Sequence, residues 1–145
     1  MTIENTTAPT LATGEGEQMS WFDATLVLKA ATADIGVVEV DIAPGDEPPM
    51  HVHSREDEWF YVLDGEATFH IGEDTYAAPK GTFVSLPRGI PHTFTVESDR
   101  AHFLMLNAPG GFERMFELAP ASIEDAMAAF DRYGIQAVGP HPRDA

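Results

Sequence analysis

A chain of 145 residues with 24 acidic against 8 basic side chains carries a formal net charge of −16. That length suits one domain with a core able to stand without staples. The charge excludes the clustered Lys and Arg that nucleic acid or an anionic membrane surface needs. Cysteine is absent, which removes disulfides, thiolate metal sites and a thiol nucleophile together. The N-terminus has neither a basic stretch nor the apolar core of a signal peptide, and no apolar run approaches membrane-spanning length. The expectation is a cytoplasmic protein that contacts neither membrane nor nucleic acid.

Residues 1–18 hold few apolar positions and are expected to be a flexible tail. Order is expected from about Trp21, with a β-rich body over 19–118 and a helix with its own tail over 119–145, packed on that body. Residues 25–30 and 35–42 are apolar and β-branched, and the second run alternates over its latter half as a half-buried strand does. Pro44-Gly45 ends it, and Pro48-Pro49 sets an extended approach to His51.

The stretch 45–65, GDEPPMHVHSREDEWFYVLDG, carries the densest chemistry. In a strand, residues two apart share a face, so His51 and His53 point to one place while Val52 points away. A charged turn follows, and Glu58 opens the run Trp59-Phe60-Tyr61-Val62-Leu63, closed by the hairpin signal Asp64-Gly65. Asp57 competes with Glu58 as the inward carboxylate, and the spacing to Gly65 favours Glu58. Residues 66–71 and 74–78 flank a Gly72-Glu73 turn. Strand 82–86 then leads through Pro87-Arg88-Gly89 to His92, the natural fourth donor. Residues 93–96 and 101–106 pair across a polar turn, and 112–118 is expected to be an edge strand.

Beyond it the period changes. Ser122 is an N-cap with Asp125 at N3. Ile123, Ala126, Met127, Phe130 and Tyr133 fall at helical spacing, and Gly134 is a C′ stop. The expected helix, 123–133, would lay its Met127/Phe130 face on the outside of the β-body. Residues 140–145 are expected to be irregular.

Short strands with turn signals every eight to twelve residues mark an all-β sandwich or barrel. The central segments spell G-x5-H-x-H-x4-E-x6-G and, after 15 residues, G-x5-P-x-G-x2-H. A chance match to the nine fixed types at one register is on the order of 10⁻¹¹ at ordinary residue usage. In these residues the chain resembles the cupin superfamily. The resemblance implies a double-stranded β-helix, a jelly-roll barrel, with one C-terminal α-helix. It also implies one divalent transition metal per chain, held by His51, His53, Glu58 and His92. Fe, Mn, Ni, Co, Cu and Zn all suit three imidazoles and a carboxylate. In one place the chain departs from the motif: Val96 stands where the family usually has Asn.

By parity Phe60 and Val62 follow Glu58 inward, and Phe94 follows His92. With Phe103 and Met105 they are the candidate substrate pocket. Apolar walls of this kind suit a flat organic substrate better than a sugar phosphate. Across residues 36–117 the chain is similar to small cupins resembling quercetin 2,3-dioxygenases. The phrases around 53–65, 87–94 and 109–113 carry the likeness. That similarity implies a metal-dependent dioxygenase acting with O₂ on a hydroxylated, aromatic or flavonol-like small molecule, with Glu58 as the catalytic base. Two alternatives stand beside it: a non-oxidative isomerase, cyclase or lyase using the metal as Lewis acid, and a binding module without turnover. A homodimer is expected, because the outward Trp59/Tyr61/Leu63 face needs a cover. Of the remaining histidines, His102 has the best claim to support a metal ligand. Arg88 is expected to form a surface ion pair rather than meet a substrate anion.

Overall fold

Alternation of inward and outward side chains builds two antiparallel sheets that face each other across an apolar interior. The computed structural model describes residues 9–145, and residues 1–8 of the expected tail lie outside the described residues. In chain order the strands are β1 (Glu17–Trp21), β2 (Ala24–Ala31), β3 (Gly36–Ile42), β4 (Met50–His53), β5 (Asp57–Asp64) and β6 (Glu66–Ile71). They continue as β7 (Asp74–Pro79), β8 (Phe83–Leu86), β9 (His92–Val96), β10 (Ala101–Ala108) and β11 (Ile135–Gly139). One sheet has the order β1-β2-β3-β10-β5-β8 and the other β11-β4-β9-β6-β7. This is the expected all-β jelly roll, with one α-helix, α1 (Ile123–Arg132), near the C-terminus. No helix among the described residues is long and apolar enough to cross a membrane.

β10 shows how the sequence directs the layering. Ala101, Phe103, Met105 and Asn107 are buried, while the residues between them are half-exposed. Its register against β5 sets Met105 opposite Phe60 and Asn107 opposite Glu58, so each layer of the interior is shared between strands. The middle layer is aromatic. Phe60, Phe69, Phe94 and Phe103 touch in all six pairings, with ring centroids between 5.2 and 6.0 Å apart. Most of these contacts are tilted or edge-on, the arrangement the ring quadrupoles prefer.

Three elements differ from the sequence-based expectation. Residues 112–118 form a 3₁₀ helix instead of an edge strand. Phe112, Met115 and Phe116 are buried there, three and four residues apart, a spacing that a strand cannot place on one face. β1 starts at Glu17, inside the stretch assigned to the tail, and its only buried residue is Met19. One apolar contact leaves no alternation to read. β11 joins the second sheet beside β4, setting Ile135 opposite His53 and Ala137 opposite His51.

The helix begins where its cap predicts: Ser122 Oγ accepts from Asp125 N at 3.1 Å. It ends at Gly134, whose φ of +75° suits only glycine, and whose carbonyl accepts from Ser54 N at 3.1 Å and Ser54 Oγ at 2.9 Å. The Phe130 ring reaches the interior, 5.9 Å from His51, so the helix does not lay it on the outside of the β-body as expected. Its buried face is Ala126, Ala129 and Phe130, with Met127 only partly covered.

The C-terminal residues clasp β9. Nδ1 of the buried His141 accepts from Arg143 N at 3.0 Å, so its Nε2–H is free to donate to Phe94 O at 2.9 Å. Arg143 meets both oxygens of Glu47 at 2.8 Å. Glu47 in turn accepts from Gly45 N at 2.8 Å and Val96 N at 2.9 Å. At Val96, where the motif usually has Asn, it is the backbone amide that is bonded, by a carboxylate from the β3–β4 loop. Burial alone would raise the Glu47 pKa. The Arg143 guanidinium and the backbone amides of Val96, Glu47 and Gly45 more than reverse this and bring it to about 2.

A depressed carboxylate pKa stabilises the fold fully above the ordinary value of 4.5 and loses that contribution as pH falls toward 2. Glu47→Gln is expected to cost about 2 kcal/mol near neutrality, after allowing for solvent screening at the half-exposed Arg143 end. The gap between variant and parent should shrink to roughly half by pH 3 and close only near pH 2. Urea unfolding at pH 7 and pH 3 measures it, and a gap that stays constant with pH would remove Glu47 from the account.

Candidate metal centre

Both sheets contribute to one cluster. His51 and His53 come from β4, His92 from β9 directly opposite His51, and Glu58 from β5 in the facing sheet. One donor atom from each of the four lies within 4.8 Å of the others, and all four residues are buried. Each imidazole is oriented from behind. His51 Nδ1 donates to Pro49 O at 2.8 Å, His92 Nδ1 to Ile90 O at 3.3 Å, and His53 Nδ1 to Glu56 Oε1 at 3.3 Å. These oxygens can only accept, so each Nδ1 carries the proton and each Nε2 presents a lone pair to the centre.

The residues fit a divalent ion. His53 Nε2 is buried without a hydrogen-bond partner, which is costly unless something binds it. Glu58 Oε1 lies 3.1 Å from His92 Nε2 and 3.6 Å from His53 Nε2. Donor bonds of about 2.1 Å at right angles put neighbouring ligand atoms about 3 Å apart, so this spacing suits a common ion. Burial, with repulsion from His92 and His53, pushes His51 down to about 3, which keeps it neutral. Burial alone would raise Glu58, but His53, His92 and His51 hold it below the usual carboxylate range. Burial alone would lower His53, yet Glu58 and Glu56 raise it. The Glu58 carboxylate is thus favoured as the anion, the form that a cation requires of it.

The Asp57 ambiguity is resolved by the backbone. Asp57 points outward and pairs with Arg88 at 3.2 Å through both carboxylate oxygens, so Arg88 is a surface partner, as expected. His102 is displaced from its expected supporting role. It sits on the outer face of the first sheet, 2.5 Å from Glu39 Oε2. The residue that does support a ligand is Glu56, 2% exposed behind His53. Sequence reading placed it in a charged turn, and nothing in its spacing marks it as buried.

Above the donors lies a cavity of about 90 Å³. Of the five expected pocket residues, Phe60, Phe94 and Met105 line it, whereas Val62 and Phe103 are fully buried in the layer beneath. Its roof comes from segments outside the two motifs. Phe112 rests edge-on against His53 at 4.7 Å, and Phe130 lies 5.9 Å from His51. Trp21 packs on Phe116 at 5.6 Å and stacks with Phe130 at 6.3 Å. Helical periodicity exposed the apolar character of Phe130, but not what it faces.

Comparison with known proteins agrees with this geometry. A family model described as a cupin domain matches residues 38–107. Quercetin 2,3-dioxygenase of Bacillus subtilis (strain 168) is 26% identical over 112 residues, which are 74% of this chain. The chain spans only 33% of that relative's length. The structure of KdgF from Halomonas sp. superposes with a TM-score of 0.61 at 19% identity, covering 66% of this chain and 87% of that one. Pac13 of Streptomyces, a nucleoside dehydratase, gives 0.66 at 14% identity, covering 95% and 97%. At such identities the two structures speak for the fold alone. With the two-sheet barrel, the buried His51/His53/Glu58/His92 cluster and the matched span together, this chain belongs to the cupin superfamily.

Proposed function

We propose that this protein is a metal-dependent enzyme of the dioxygenase type, acting on a hydroxylated aromatic small molecule. One observation carries the reading: three lone-pair imidazoles and a carboxylate form the polar floor of a cavity whose remaining lining, Asp46 apart, is apolar. A divalent ion held by His51, His53, Glu58 and His92 would supply a Lewis acid for a substrate hydroxyl and the electron-transfer chemistry that reaction with O₂ needs. The chain supplies the rest. Phe60, Phe94 and Phe112 exclude water, and the low dielectric they create strengthens every charge interaction at the floor. Glu58 turns Oε1 toward His53 and His92, leaving its second oxygen to take the hydroxyl proton.

The cavity volume limits the substrate. A cavity of about 150 Å³ holds one benzene ring. The smaller space here makes a single ring project toward the mouth, and a three-ring flavonol requires the Phe116/Phe130 roof to lift. The reading includes a homodimer. Phe83 and Tyr61 are neighbours across β8 and β5, 61% and 42% exposed, and form an apolar stripe at an open sheet edge.

The test is oxygen uptake on catechols and flavonols by protein loaded in turn with Fe, Mn, Ni, Co and Cu. Uptake is expected with at least one form, and Glu58→Gln should lose turnover out of proportion to metal content. Light scattering on the same samples should give twice the chain mass. Product formed without oxygen, and no uptake with any metal, would replace the oxidative reading with Lewis-acid chemistry.

A further inference from the structure

One acidic group faces the cavity and has no part in the chemistry above. Asp46 follows Gly45, whose φ of +102° turns the β3–β4 loop inward. Its side chain lines the same cavity as the four donors. Every other lining residue outside those donors is apolar or aromatic, and no Lys or Arg is among them. Most of the lining is buried; Trp21, Asp46 and Pro48 are half-exposed, so these three form the rim.

The Asp46 carboxylate is uncommitted. Among the described residues its backbone amide bonds Ala43 O at 3.3 Å, while no hydrogen bond or ion pair engages its side chain. The neighbouring charges do not neutralise it. Asp23 and Glu47 repel it, and Arg100 attracts it from a position already taken by Asp41 at 2.8 Å. Burial first, and then those two carboxylates, raise its pKa, the signature of an anion lacking its cation. The formal charge of −16 adds to the same field.

We propose that Asp46 is a specificity-determining residue, selecting substrates that carry a cationic or hydrogen-bond-donating nitrogen at the end remote from the metal-binding oxygen. The inference rests on the function proposed above and adds the substrate's second end to it. A molecule seated with its oxygen at the His51/His53/His92 floor runs between Phe60, Phe94 and Phe112 and emerges between Trp21 and Asp46. An ammonium group there meets an unpaired carboxylate at the rim, a favourable partner. A carboxylate or phosphate there meets only repulsion, because the cavity offers no basic side chain. Anionic sugars are therefore rejected at the rim.

The experiment uses the Zn-loaded protein without oxygen, so that no oxidation of the catechols obscures binding. Calorimetry at low salt and pH 7.5 compares three catechols: dopamine, 4-methylcatechol and 3,4-dihydroxyphenylacetate. Dopamine is expected to bind about tenfold tighter than the carboxylate, a difference in keeping with one partly screened charge pair. Asp46→Asn should compress that ratio to within about twofold, and Asp46→Lys should invert it. Equal ratios in the parent and both variants would overturn the assignment. If 4-methylcatechol fails to bind the parent, the metal-floor reading falls and this inference falls with it. If it binds and the three affinities are flat, the floor stands and the Asp46 role alone is lost.

Discussion

Protein carrying His92→Ala should leave purification and a mild chelator wash with almost no metal, and His51→Ala should behave the same way. His92 Nε2 lies 3.1 Å from Glu58 Oε1 across the two sheets, so its loss takes one of the four donors out of the middle of the cluster. Loss of a group that only orients a ligand typically weakens metal affinity by 10- to 100-fold. Loss of the ligand itself is expected to exceed about 100-fold. Glu56→Ala supplies the internal scale. It frees His53 Nδ1 from its acceptor at 3.3 Å without touching the floor, and should fall within the smaller range. Elemental analysis gives the stoichiometry, and competition with a chelator gives the order. Full occupancy in His92→Ala, or Glu56→Ala more damaged than His92→Ala, contradicts the assignment.

Truncating Phe103 is expected to cost about 3–5 kcal/mol, a large part of the stability of an ordinary domain. The ring is fully buried and packs at 5.2 to 6.0 Å against Phe60, Phe69 and Phe94. Its neighbours sit on different strands of both sheets, so they cannot collapse into the void together. Phe94→Ala offers the contrast. Phe94 already borders the cavity, so part of the space behind it exists before the mutation, and its loss should be smaller. Urea unfolding of both variants with the metal removed separates packing from ligation. A cost below about 1 kcal/mol for Phe103→Ala would show that the aromatic layer does not organise the barrel.

The donor set was legible because it depends on local rules. A period of two puts His51 and His53 on one face, and the motif spacing to Gly65 favoured Glu58 over Asp57. The aromatic layer was partly legible for the same reason, since Phe60 and Phe94 follow donors at even spacing. Parity could not rank depth, which is why Val62 and Phe103 were expected at the cavity and lie beneath it. What stayed hidden depends on contacts distant in the chain. Glu47 serves the Val96 amide from 49 residues away. Trp21, Phe116 and Phe130 meet over the site from three separate elements, none of them within the two motifs. The 3₁₀ segment 112–118 was missed because seven residues hold too little of either period to decide between them.

The pairing of β4 has a consequence for where this protein can be cut. β4 is four residues long and carries two of the four donors, yet its register with β9 is the single pair His51 and His92. The rest of its ladder is β11, with Ser54 and Arg55 adding bonds to the carbonyls of Gly134 and Tyr133. The span recognisable as a cupin domain ends at residue 107, well before those partners begin. The recognisable span and the strands that hold β4 therefore have different borders here. A minimal barrel trimmed to the shared span would keep every ligand and lose the scaffold that aligns two of them.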